Sequence, residues 1–385
     1  MQNRKNFVRK IVQESGRRRR MKNNSITPRQ LFFVIIQTQI GVGILSLPFT
    51  LFTKAKTDGW MSVMIAGVLI QFVILMIWLL MKRFPGSTLY DVIPLLIGPA
   101  AGKVLNALYT IHFIFVSVLI LMYFHQITGR WIFPETPKWV MISCVALTSG
   151  YLITSSARII ARFFIIMTPL LIVLFLLIAY SYTDAHLLYI LPVGVHGMKN
   201  VLVGTQDATV ALLGFDAALV FFAYTNGKPE KKLKAVSLAA LCVTLFYTYV
   251  TFTTFIYFNS EEIIIVPEPV LYMLKAFSFK VIERTDLVFM SLWLVSVATS
   301  FMSYLFIAAK GVQSVLKLKH HKKTIPYLVF TSIILATIPK SNLQIQQWGK
   351  YISLSGIIFT IPIICLLLII AVARKKQGGN AQYEK

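Results

Sequence analysis

Acidic residues are scarce in this chain of 385 residues. Its 14 Asp and Glu stand against 38 Lys and Arg, and charged residues of both signs make up only 14% of the sequence. A soluble domain normally carries about 25% charged residues, so this composition excludes an ordinary water-facing surface. Hydrophobic residues make up 57% of the chain, and its mean hydropathy is positive. The composition therefore predicts a polytopic membrane protein.

Cysteine is rare as well, and the three that occur are Cys144, Cys242 and Cys365. All three fall inside apolar runs, so we expect them to pack among apolar side chains rather than to form disulfides or bind metal. The sequence also lacks a phosphate-binding loop, metal-ligand spacing and a nucleophile–base pair that could meet on one side of a membrane. These absences predict a binding or transport protein that is not an enzyme and that uses no cofactor or metal.

Apolar runs long enough to cross a bilayer recur along the chain. They predict ten spans, at approximately 31–52, 60–81, 104–125, 138–156, 163–181, 205–224, 235–258, 286–309, 325–339 and 351–373. An even number of spans puts both termini on one side, and that side holds 28 of the 38 Lys and Arg. The positive-inside rule therefore predicts cytoplasmic termini. This asymmetry explains the net charge of +24 without a nucleic-acid partner.

Three regions follow from this topology. Residues 1–24 form a basic cytoplasmic tail, which includes the run Arg17–Arg20 and which we expect to lie on anionic membrane lipid. Residues 25–373 form the ten-span membrane domain, and residues 374–385 form a cytoplasmic C-terminal tail.

Shorter segments carry local signals. Thr27 followed by Pro28 predicts a helix that begins with Thr27 as its N-cap. The apolar stretch Val92–Gly98 suits a short interfacial segment better than a crossing. Apolar residues recur at helical spacing from Val270 to Ile282, which predicts an amphipathic helix on the outer surface.

The first and sixth spans are interrupted. Gly41 and Gly43 lie near the middle of the first span and Pro48 follows, while Gly214 and Asp216 lie inside the sixth. Broken helices at matching positions of two five-span halves indicate inverted repeats with a binding site near the midplane. This pattern predicts an all-α polytopic fold of about ten transmembrane helices, arranged as an inverted five-plus-five repeat. Backbone groups freed at Gly41 and Gly43 would face the ligand.

Each of these features also has a purely structural interpretation. Glycines allow close helix packing throughout membrane proteins, and Asp216 could simply cap the end of a half-helix. An ionisable group inside the membrane is nonetheless a functional candidate, which applies to Asp216 and to His112 on the third span. Hydroxyl side chains at 296, 299, 300 and 303 form a stripe on the eighth span, which could equally bond neighbouring helices.

The chain resembles the B subunits of endospore nutrient germinant receptors, a branch of the amino acid/polyamine/organocation transporter superfamily. The resemblance covers roughly residues 25 to 373 and depends on the order of several motifs, none of which is specific alone. The motifs are Ile26–Leu31, Ile40–Pro48, Phe84–Leu89, Gly214–Asp216 and Val281–Asp286 before Trp293. Two features depart from the family pattern, because the basic tail is longer and Asp216 stands where Glu is more usual.

The resemblance implies a LeuT-like fold, a small nutrient in a midplane pocket, and a complex with receptor A and C subunits in the inner membrane of the spore. It implies a pocket wall from the third span, the sixth-span break and the eighth span. Together with the two breaks, the candidate ligand-binding residues are Gly41, Gly43, Tyr109, Phe113, Leu213, Gly214, Phe215, Asp216, Ser296 and Thr299.

Three functions remain open at this point. The first is a receptor subunit that binds a nutrient and signals germination through its partners. The second is a proton- or sodium-coupled amino acid permease, and the third is a scaffold with a vestigial pocket. An amino acid is the expected nutrient, because half-helix N-termini suit a carboxylate and exposed carbonyls suit an ammonium group. Sugars, nucleosides and potassium-assisted nutrient mixtures are alternatives.

Overall fold

The computed structural model describes residues 25–277 and 284–376, and these residues are almost entirely helical. Within them the only β-type pairing is an isolated bridge between Ile26 and Thr225. The α-helices are α1 (Pro28–Gln39), α2 (Gly43–Ala55), α3 (Gly59–Met81), α4 (Leu89–Ile97), α5 (Pro99–Trp131), α6 (Lys138–Ile153), α7 (Ala157–Met167), α8 (Pro169–Ala179), α9 (Met198–Ala211), α10 (Ala218–Phe221), α11 (Pro229–Tyr257), α12 (Pro269–Lys275), α13 (Thr285–Val315), α14 (Ile325–Thr337), α15 (Asn342–Thr360) and α16 (Pro362–Ala373). The predicted tail 1–24 lies outside the described residues, as does most of the tail 374–385.

Each predicted span contains a helix or a pair of helices. The first is α1 with α2, and the sixth is α9 followed by a bend of 47° into the segment Phe215–Tyr224. Among the described residues, six helical stretches are long and apolar enough to cross a membrane, and the bent pair makes a seventh. The fold is thus a multi-pass helical membrane bundle, as predicted.

Helix starts follow ordinary capping rules. Thr27 caps α1 in a reciprocal capping box with Gln30, and Pro28 occupies the first turn, which confirms the predicted start. Thr88 and Asp91 form a second capping box at α4, the short helix in the stretch predicted as interfacial.

The outer helix differs from its prediction. Helix α12 ends at Lys275, earlier than the apolar spacing predicted. Val270, Leu271 and Leu274 are buried while Tyr272 and Lys275 are exposed, so the helix is amphipathic as predicted. Its neighbours are α2, α11 and α13. Val281 and Ile282 lie outside the described residues.

The cysteine prediction also needs correction. Cys144 and Cys242 are free thiols on exposed faces of their helices, and Cys365 is half-buried. Outward faces of membrane-spanning helices meet lipid, so an apolar run alone does not show which face is buried.

Helix α13 is the centre of the bundle. Of the most apolar 18 residues of α13, 78% are buried inside the protein. The corresponding share is 22% for the stretch formed by α7 and α8. Helix α13 packs against α5, α1, α6 and α8, and α11 also packs against α1. Side chains of α13 and α11 therefore surround the break in the first span.

Candidate ligand site

The first break lies between α1 and α2. Helix α1 ends at Gln39, Ile40 has extended backbone (φ −83°, ψ 103°), and α2 begins at Gly43. A helix end leaves carbonyl oxygens without partners in the helix, and in an apolar bundle each such group needs a donor.

Side chains of neighbouring helices supply these donors. The Ser300 hydroxyl of α13 lies 3.1, 3.0 and 3.1 Å from the carbonyl oxygens of Gln37, Thr38 and Ile40. The Trp293 indole N–H donates to the Gly41 carbonyl at 3.1 Å. The Gly41 carbonyl is therefore bonded to protein, whereas the single Ser300 hydroxyl proton is shared among three carbonyls, so a ligand contact with the backbone of this break stays a prediction.

The two glycines of the break have close neighbours. A Cβ at Gly41 would lie 2.9 Å from the Ser300 Oγ, and a Cβ at Gly43 would lie 3.4 Å from the Cβ of Ala211. Close packing is therefore a demonstrated role of Gly41. A ligand contact at either glycine stays a prediction.

The second break touches the first. Helix α9 ends at Ala211, and Gly214 has φ +129°, a conformation that strongly favours glycine. A Cβ at Gly214 would lie 2.7 Å from the Cα of Gln39. The Gln39 side-chain amide also donates to the Leu212 carbonyl at 2.7 Å. The two interrupted spans thus cross in direct backbone contact, as the inverted-repeat argument expected.

Asp216 lies immediately after this crossing. Its side chain is buried, and its Oδ1 accepts a hydrogen bond from the Tyr304 hydroxyl of α13 at 3.2 Å. Of the described residues, only Arg130–Glu268 and Arg284–Asp286 form ion pairs, so Asp216 has no basic partner there.

An aromatic group adjoins this carboxylate. The Phe113 ring centroid lies 6.1 Å from that of Tyr109 and 6.1 Å from that of Tyr304. The Tyr109 hydroxyl donates to the Phe359 carbonyl of α15 at 2.7 Å. The structure therefore brings the two predicted wall residues of the third span to the Asp216–Tyr304 pair.

Leu213 and Phe215 flank the same break. Phe215 is fully buried, and the Leu213 side chain is half-buried, with its Cδ1 3.0 Å from the position of a Cβ at Gly356. Helix α15 thus closes this side of the aromatic group, a contribution that the sequence did not indicate.

Ser296 and Thr299 lie beside α1 instead. The Thr299 hydroxyl is 2.8 Å from the Gln37 Oε1 and 2.9 Å from the Ser296 carbonyl oxygen. The Gln37 side-chain amide donates a hydrogen bond of 3.2 Å to the Thr168 hydroxyl, at the junction of α7 and α8. The candidate residues therefore fall into two groups, one around Asp216 and one around Gln37, on either side of the end of α1.

Sequence reasoning missed Gln37, Gln39 and Tyr247, whose hydroxyl donates to the Gln39 carbonyl at 3.3 Å. Two glutamines in an apolar span just before the glycines were an available signal. Within residues 25–277 and 284–376, no group of three or more His, Cys, Asp or Glu side chains could hold a metal ion.

Comparison with known proteins identifies the family. A family model described as spore germination protein matches residues 25–345. The chain belongs to the spore germination protein family. This assignment confirms the resemblance drawn from the motifs, and it gives the chain a germinant receptor or permease-like role, which is not that of an enzyme class.

Members of the family from two organisms align over nearly their whole length. The spore germination protein YndE of Bacillus subtilis (strain 168) is 25% identical over 357 residues, which cover 92% of this chain and 98% of that protein. The spore germination protein GerQB of Bacillus cereus is 22% identical over 356 residues, covering 91% and 97%.

A solved structure supports the fold. MhsT, crystallised in complex with L-phenylalanine, superposes with a TM-score of 0.66 and covers 94% of each chain. Its sequence identity is 14%, so the likeness concerns the fold alone. The LeuT-like fold class with broken first and sixth helices is confirmed.

Proposed function

We propose that this chain is the B subunit of a germinant receptor in the inner membrane of the spore. It binds a small nutrient, an amino acid, where the two broken spans cross, and it signals germination through receptor A and C subunits. The observation that carries this proposal is the buried Asp216 carboxylate, bonded to Tyr304, at the crossing. The family assignment supports the receptor role.

Asp216 suits the ammonium end of an amino acid. A carboxylate near mid-bilayer costs at least about 2.5 kcal/mol on insertion scales, so it needs a partner or a proton. Because no described basic side chain pairs with Asp216, a ligand cation is a fitting partner.

Helix α2 suits the carboxylate end. No side chain caps its N-terminus at Val42, and its first turn holds no acidic residue. The amide groups of such a helix start attract an anion. The sixth-span break therefore offers the negative charge of Asp216, and the first-span break offers the positive end of the α2 dipole. Together they match the two charges of a zwitterionic amino acid. MhsT, which shares the fold, was crystallised with L-phenylalanine.

A sodium-coupled permease is the second candidate. The hydroxyls of Ser300 and Thr299 have two protons between them, yet they face five oxygen atoms, namely the carbonyls of Gln37, Thr38, Ile40 and Ser296 and the Gln37 side-chain oxygen. Such a surplus of acceptor oxygens favours a small hard cation. Sodium would then be a co-transported substrate.

Uptake of radiolabelled amino acids separates the two functions. The chain alone is reconstituted in vesicles with an inward sodium or proton gradient, and the same amino acids are tested as germinants on spores that carry or lack the gene. A receptor subunit gives germination that depends on the gene, without gradient-driven uptake. Concentrative uptake that collapses with the gradient would establish the permease instead.

A further inference from the structure

A pocket lies away from the two breaks, at the end of the bundle where α3 ends and α11 begins. It is a partly open pocket of about 310 Å³, a volume that includes solvent at its mouth, and it lies between the last turn of α3, the turn at Pro85–Ser87, Phe222, and the first turn of α11. Phe222 belongs to the segment after the sixth-span break, but none of the candidate ligand-binding residues lines this pocket.

Two lysines from different segments line the pocket. The Lys82 ammonium lies 4.0 Å from the ring centroid of Trp78, and the Lys232 ammonium donates to the Phe222 carbonyl at 3.1 Å. Neither lysine forms an ion pair within the described residues, although Glu230 is close in sequence to Lys232. Two positive charges therefore share a concave space without a carboxylate between them.

The other walls are apolar. Met81, Phe84 and Phe222 are buried, and the Trp78 indole donates to the Pro229 carbonyl at 2.9 Å. The pocket lies where the apolar helix α3 gives way to charged residues, which is the depth of lipid headgroups. Exposed apolar side chains continue along α3 toward the bilayer, including Phe72 and Leu75.

We propose that this pocket binds the phosphate of an anionic membrane lipid. Paired ammonium groups at the membrane interface bind a phosphate, and basic pockets between helix ends recognise lipid headgroups. A free phosphate is also an anion, but it gains nothing from the aromatic walls or from the apolar face of α3. Bound lipid would also hold Phe222, six residues after Asp216, in its present position. This assignment does not depend on the proposed nutrient site.

Lipid binding to the purified full chain tests the assignment. Native mass spectrometry in detergent, titrated with phosphatidylglycerol or phosphatidylcholine, gives the affinity for each lipid. The wild-type chain should prefer phosphatidylglycerol. The pair Lys82→Gln and Lys232→Gln should weaken phosphatidylglycerol binding roughly tenfold and leave phosphatidylcholine binding unchanged.

A matched pair controls for surface charge. Lys231 and Lys234 are exposed on the same helix but do not line the pocket, so Lys231→Gln with Lys234→Gln should keep phosphatidylglycerol binding within about twofold. An equal loss of phosphatidylglycerol binding in the two double variants, or no loss in either, would overturn the proposal.

A second variant keeps the charges and fills the space. Ser87 lines the pocket, and Ser87→Phe should also abolish the preference for phosphatidylglycerol. Wild-type binding by this variant would overturn the proposal, and this variant decides if the lysine pair fails to fold. Displacement of phosphatidylglycerol by millimolar inorganic phosphate, with equal stabilisation by phosphate alone, would show that the ligand is a free anion.

Discussion

Ser300 shows what one hydroxyl does in this bundle. It lies within hydrogen-bonding distance of three carbonyl oxygens at the end of α1 and is itself buried on α13. Without it, the Thr38 and Ile40 carbonyls would lose the side-chain donor that α13 supplies to them.

Ser300→Ala should therefore destabilise the protein by about 1 to 3 kcal/mol, the usual cost of leaving buried polar groups unpaired. Thermal unfolding in detergent measures the change. Ser291→Ala is the matched control, because Ser291 is exposed on the same helix and bonds only to Leu287. Equal melting temperatures for the two variants would contradict the role given to Ser300.

Phe113 is the residue on which nutrient preference should depend. Its ring lies between Tyr109 and Tyr304, so shrinking it opens space beside the Asp216–Tyr304 pair. One methylene in such a pocket changes selectivity by about 1 to 3 kcal/mol.

Phe113→Val should therefore shift the order of potency toward nutrients with larger side chains, measured as germination dose-response over a panel of amino acids. A residue that only fills the core would lower protein abundance without changing that order. An unchanged order with less protein would remove Phe113 from the pocket.

Sequence reasoning reached some of these residues and not others, for a physical reason. Asp216 and Gly214 are conspicuous because a charge or a break in an apolar run is costly and needs a cause. Tyr304 belongs to an ordinary-looking span, and its importance comes from a contact made across 88 residues of chain. Such long-range partners cannot be read from local pattern.

The helices, like the residues, were predictable from the sequence only in part. The helical segments of the bundle were predictable because bilayer thickness fixes the apolar length of a span. Their ends were not, since α5 and α13 continue into polar sequence to Trp131 and Val315. Helix pairs that meet at Thr168–Pro169 and Ile361–Pro362 were predicted as single spans, because their apolar pattern continues through the proline.

The crossing of the broken spans depends on Gly214 for two reasons, its positive φ and its contact with the Gln39 backbone. Gly98 also has positive φ, but a Cβ there would meet nothing within 4 Å. Alanine substitutions at Gly98 and Gly214 therefore separate the cost of backbone strain from the cost of a steric clash with Gln39.

Gly98→Ala should cost only the conformational strain of about 1 to 3 kcal/mol. Gly214→Ala should cost more, and it should also abolish the nutrient response even at temperatures where the variant is still folded, since the two breaks must move apart. Equal stability and a normal response in Gly214→Ala would contradict the direct contact of the breaks.

Polar contacts between distant segments join the bundle at two further places. At the N-terminal end, the Ile26 amide donates to the Tyr224 carbonyl at 2.8 Å, and the Asn226 amide donates to the Ile26 carbonyl at 2.9 Å. These bonds join the start of the first span to the end of the sixth. At the other end, Arg130 pairs with Glu268, directly before the buried helix α12.

Binding of amino acids to the purified chain in lipid nanodiscs tests the central claim, that the crossing is a nutrient site. Wild type should bind at least one amino acid saturably. Asp216→Asn, which keeps most capping ability but removes the charge, should weaken that binding at least about tenfold, because a charged partner contributes about 1.5 to 3 kcal/mol. Asp184→Asn removes a charge from an exposed position and should bind as wild type does. Wild-type affinity in a folded Asp216→Asn protein would contradict the claim and leave Asp216 as a helix cap.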